Sequence, residues 1–182
     1  MKKILSLAFM LLVAAFAVDA SAQASKLVGK WNADISAMEL ETGMFSGGDI
    51  KITFEFDNDG DCEVNVLLSM NQAIDSATSL IFKMEMEFDY AWVLAADKLS
   101  LRNPVVEMEV KEFRFSPSSP EMEAFLPMFK QQIVSEFNKQ KGQIANQMVS
   151  TAMQVKFVND NTVVLTPLDD ATNTAYTLRR VK

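Results

Sequence analysis

Acidic side chains crowd two regions of this sequence, and carboxylates can hold a cation or move a proton. Asp57, Asp59, Asp61 and Glu63 surround Gly60 in the stretch FEFDNDGDCEVNV, residues 54–66. A helix–loop–helix calcium loop needs D-x-[DN]-x-[DN]-G, with glycine sixth and a bidentate glutamate twelfth. Counted from Asp57, the sixth residue is Cys62 and the twelfth is Leu68, so the ligand register fails. Glu85/Glu87 and Glu107/Glu109 are spaced as acid pairs that could in principle serve glycoside hydrolysis. Each alternates with apolar residues, which reads as the solvated face of a strand.

Other chemistries lose their usual residues. The chain has no histidine, so Ser–His and Cys–His catalysis lack their base and the common zinc sites lack a ligand. Cys62 is the only cysteine, which rules out an intrachain disulfide; on an alternating strand it reads as a small hydrophobe. Met84-Glu-Met86 is an M-x-M pattern of the kind that thioether copper sites use, yet phenylalanines share its face. No glycine-rich phosphate loop or nucleophile elbow is present. The expectation is a protein without catalytic residues, cofactor or metal.

The elements that carry these residues follow from their periodicity. Ile52, Phe54 and Phe56 alternate with polar residues, as do Cys62, Val64 and Val66 beyond the Asn58-Asp-Gly60 turn. Phe82, Met84, Met86, Phe88, Tyr90 and Trp92 form the longest such run, followed by Leu99 and Leu101 after a turn at residues 96–98. Val106, Met108 and Val110 continue it, and the phase slips near Glu112, which predicts a bulge. Ser119-Pro-Glu121 is a helix start, and Met122, Phe125, Phe129, Ile133, Phe137, Ile144 and Met148 recur at helical spacing. Pro127 and Gly142 predict one long interrupted helix, or two short ones, over residues 120–151. Strands return at Val155–Phe157, Val163–Leu165 and Tyr176–Val181, and a first strand is expected at Leu27–Ile35.

The fold class is mainly β: a single up-and-down antiparallel β-barrel of eight or nine strands, with an open curved sheet wrapping the helix as the alternative. Residues 1–24 read as a signal peptide: Lys2 and Lys3, an apolar run from Ile4 to Val18, and cleavage after Ala22 or Ala24. Residues 25–182 then form one domain, exported to the periplasm or beyond, with no transmembrane segment. A net charge of −7 argues against nucleic acid and anionic membrane as partners.

Leu27-Val-Gly-Lys-Trp31 resembles the G-x-W opening strand of lipocalins and of lipocalin-like secreted bacterial proteins, and Tyr176-Thr-Leu-Arg-Arg-Val181 resembles their closing strand. The F-x-F-x-x-D-G hairpin and Phe88-Asp-Tyr-Ala-Trp92 followed by Lys98-Leu-Ser-Leu101 resemble the bacterial branch. The resemblance spans nearly all of residues 25–182. It implies a structural closure in which Gly29 permits close packing, Trp31 plugs one end and Arg180 stacks on its indole, with Arg179 as the fallback. The helix is long for that family; it caps the barrel, fills it or lies outside.

The inward set expected to line a ligand site is Phe54, Phe56, Met84, Met86, Phe88, Tyr90, Trp92 and Met108, with Tyr90 as a polar group that orients the ligand. The function expected is binding of a small hydrophobic, lipid-like molecule inside the barrel. The alternative is a protein-interaction or cell-envelope module, with an envelope protein as partner and side chains filling the interior.

Overall fold

The alternating stretches form eight antiparallel strands that close in a ring in sequence order, β1 pairing with β8. The computed structural model describes residues 23–34, 48–74, 76–147, 151–168 and 175–182. The strands are β1 (Gly29–Asp34), β2 (Gly48–Phe56), β3 (Asp61–Ala73), β4 (Ser79–Ala95), β5 (Lys98–Ser116), β6 (Thr151–Asn159), β7 (Thr162–Pro167) and β8 (Tyr176–Arg180). Closure of the ring leaves the short strands β1, β7 and β8 hydrogen-bonded on both sides, which is why strands this short hold. Among the described residues the strand count is eight, and the closed barrel holds over the open sheet.

β3, β4 and β5 are much longer than the rest and extend beyond the ring. β5 pairs with β6 only from Lys98 to Leu101, whereas it follows β4 along its whole length. Two irregularities bend it. Lys83 pairs with Glu112 and Met84 with Val110, so Lys111 is the extra residue of the bulge expected near Glu112. A second shift lies opposite Asp89 and Ala91, where Asn103 takes a φ of 53°.

The helix runs from Pro120 to Gln147 as one element. Ser119 caps it, its Oγ accepting from the Met122 N–H at 3.2 Å. The interruption expected at Pro127 does not occur. A proline there removes one bond, to the Glu123 carbonyl, and the flanking turns continue. Ile133 and Val134 pack on the extension of the sheet and Phe137 on the barrel core, so the helix covers the inner face at the extended end. Phe125 and Phe129 stay exposed, as does Met128.

At the other end residues 23–27 are helical, and the first strand begins at Gly29 instead of Leu27. Leu27 is fully buried there. Expectations for residues 1–22, Ile35 and Met148, and for the Ile144 side chain, fall outside the described residues.

Candidate functional site

The closed end is organised by Trp31 and Arg180, directly opposite each other on β1 and β8. The Arg180 guanidinium lies 4.1 Å from the Trp31 ring centroid. It donates from Nε to the Asp160 carbonyl at 3.1 Å, from Nη1 to Val28 at 2.8 Å, and from Nη2 to Lys26. Trp31 Nε1 donates to the Leu27 carbonyl at 2.7 Å. Gly29 has a φ of +116°, and a Cβ there would sit 2.7 Å from Arg180 Nη1. An open recess of about 270 Å³, lined by Lys26, Asp160, Asn161 and Arg180, lies at this end. Its main cation is already committed to backbone carbonyls and an indole, so this is a structural lock.

The acidic stretch at residues 57–61 is a hairpin turn. Asp57 N–H donates to the Asp61 carbonyl at 2.8 Å, and Gly60 takes a φ of +97°. Trp92 pins it from β4: its backbone N–H donates to Gly60 at 2.7 Å and its indole to the Asp57 carbonyl at 3.1 Å. Trp92 also meets Phe56 edge to face at 5.4 Å.

On the outer face, Glu63, Glu87 and Asp89 bring carboxylate oxygens within 4.8 Å of one another. Burial, then the neighbouring charges of Glu63, Asp89, Glu107 and Glu85, raises the affinity of Glu87 for a proton. The adjacent pair Glu85 and Glu109 is bridged by Lys111, at 2.7 and 2.6 Å. These are solvent-side acids on alternating strand positions, and none faces the barrel interior.

Inside, the expected ligand-lining residues separate into two groups. Phe54, Phe56, Phe88, Tyr90 and Trp92 belong to the main core, with Met86 packed against it. Met84 and Met108 pack instead on a second cluster made of Leu68, Met70, Phe82 and Val110. Stacked rings, Phe54 on Phe56 at 6.1 Å and Phe88 on Tyr90 at 6.4 Å, fill the lower barrel. Burial pushes the Tyr90 phenol up to about 12, and the nearby Cys62 adds to it. Burial likewise raises the Cys62 thiol, which sits inside the core.

The boundary between the clusters is one rung of the sheet. Ile52 pairs with Val66, Val66 with Met86, and Met86 with Met108. All four are half-buried. The rung below, Phe54–Val64–Phe88–Val106, is 8%, 7%, 4% and 1% exposed. In the rung above, Ile50–Leu68–Met84–Val110, Leu68 and Val110 are buried and Ile50 and Met84 half-buried. An interior rung whose four apolar side chains all keep some exposure, above one that is buried throughout, is what a close-packed core does not leave by default. Tyr90, expected to orient a ligand, is separated from this rung by Phe88.

Weighting aromatics and methionines singled out Met86 and Met108 but passed over Ile52 and Val66, which share the same alternation. Strand register would have found them; composition could not. No family model matches this sequence, and no curated protein matches it. Among the described residues, no helix is long and apolar enough to cross a membrane.

Proposed function

We propose that this is an exported, non-enzymatic, lipocalin-like protein that binds a small hydrophobic molecule against the Ile52–Val66–Met86–Met108 rung. The half-buried rung between two packed clusters is the observation that carries the reading. Two of its four residues are methionines, and Met84 adjoins them; thioether chains adapt to irregular ligands at little conformational cost. Affinity would come from removing apolar surface from water, about 25 cal/mol per Å². The lower barrel, filled by its own rings, is scaffold.

Native mass spectrometry of the protein purified from its own host tests this, alongside titration with a fluorescent fatty acid. A co-purifying lipid-sized mass and saturable probe binding are expected. Val66→Phe fills the rung and removes binding while the far-ultraviolet spectrum stays unchanged. A clean apo mass with no probe response would sink the reading. The second reading, an interaction or envelope module, draws on the exposed Phe125, Met128 and Phe129 of the helix; it predicts a co-purifying protein in place of a small mass.

A further inference from the structure

The helix is attached to the barrel in an unusual way. Among the described residues, no hydrogen bond or ion pair joins it to the strands; Lys130 and Glu109 only attract at longer range. Its anchors are Ile133, Val134 and Phe137, each half-buried, and no described side chain of this long helix is fully buried. Phe129, still exposed, meets the sheet at Phe113, at 6.4 Å between ring centroids. Two weak points bracket these anchors. Pro127 lacks the amide that would bond Glu123, and Gly142 has nothing within 4 Å of the place a Cβ would occupy.

The helix also lies where the barrel wall is least complete. Beyond Leu101, β5 runs to Ser116 with no described strand paired on that side, and the helix packs along it. The chain leaves β5 at Ser116 and re-enters the sheet at Thr151, opposite Leu101. The interior beneath it is apolar: among the described residues no polar or charged side chain other than tyrosine is buried. A ligand headgroup placed there would lose its water without gaining a partner, at a cost of several kcal/mol for a charge.

Taken together, these observations point to both the class of ligand and its route. We infer that the ligand is a single-tailed amphiphile that enters tail first between the helix and β5, with the Pro127–Gly142 segment as a gate. The hydrocarbon end lies on the Ile52–Val66–Met86–Met108 rung and the polar end stays at the seam in water. This rests on the binding reading above. Opening breaks only apolar contacts of half-buried side chains, so it leaves the ring of strands intact.

Fluorescence titration and stopped-flow exchange on the full mature protein test both parts. Affinity for straight-chain fatty acids rises about fourfold per added methylene until the space is filled. A lysophosphatidylcholine of the same chain binds within about threefold, and a chain with a mid-chain hydroxyl binds at least about tenfold more weakly. Loss of binding on enlarging the head, or indifference to the hydroxyl, overturns the tail-first assignment.

Ile133→Ala and Phe137→Ala each speed both uptake and release about tenfold, with affinity held within about threefold. Far-ultraviolet circular dichroism checks that each variant is folded. Unchanged rates in the folded variants overturn the gate. Faster release with unchanged uptake overturns it too, because it makes these side chains part of the ligand's wall. If the native protein binds no chain of any length, the binding reading itself fails, and that outcome is distinct from both of these.

Discussion

At the scale of single residues, the closed end depends on a glycine that no other residue replaces. Gly29 combines a φ of +116° with the approach of Arg180 Nη1, so Gly29→Ala strains the backbone and displaces the guanidinium. The expected loss is about 2–3 kcal/mol, read as a melting temperature lower by roughly 4–10 °C. The outer face carries an opposite case. Glu87 faces Glu107 across β4 and β5 and lies beside Glu63 and Asp89, and its proton is held more tightly folded than unfolded. A carboxyl raised in this way costs stability once it ionises, so stability falls as pH rises through its range and is recovered on acidification. Glu87→Gln should therefore raise the melting temperature at about pH 7 by roughly 1–2 °C, with no gain at about pH 3, where the native carboxyl is already neutral. An equal gain at both would point to packing instead of charge. The sequence displayed all of these side chains, but the apposition of Glu87 with Glu107 exists only once the register of β4 against β5 is known.

At the scale of elements, the strands were legible because one buried face imposes a period of two, and runs such as Phe82–Trp92 keep that phase for their whole length. The slip at Glu112 was legible for the same reason: Lys111, the inserted residue, breaks the phase, and its ammonium then reaches both Glu85 and Glu109. The split of the interior into two clusters was not legible, since Met84 and Met86 look alike in sequence and differ only in which neighbours they meet. The helix shows the limit of breaker signals. Pro127 and Gly142 lower helical propensity, yet tertiary contacts at Ile133, Val134 and Phe137 hold one continuous element. Gly142→Ala, which meets no neighbour, should stabilise that element by about 0.5–1 kcal/mol, measured by amide exchange across residues 130–142. Unchanged protection there would mean the helix end is already rigid.

At the scale of the whole molecule, the helical turn at residues 23–27 bears on where a leader would be removed. The Ala24 carbonyl accepts the Val28 N–H at 3.3 Å, Ala24 packs on the main core, and Leu27 is fully buried. Cleavage after Ala22 keeps residues 23–27 whole, whereas cleavage after Ala24 removes the carbonyl that accepts the Val28 N–H. A chain processed at either of these sites should therefore begin at Gln23, and its intact mass should fall one ammonia short where that glutamine cyclises. A chain beginning at Ser25 would contradict the expectation. The lock at the closed end has a consequence in time. Trp31 and Arg180 are partners in register although nearly the whole described chain lies between them, and Arg180 also grips carbonyls at residues 26, 28 and 160. A ribosome delivers Trp31 long before Arg180, so a chain that has not yet reached Arg180 cannot make the β1–β8 pairing that shuts the ring. Pairings so distant along the chain form slowly, because their loop entropy is lost before any contact compensates it. The ring is thus held open until Arg180 has been made, and the core is assembled after the strands instead of alongside them.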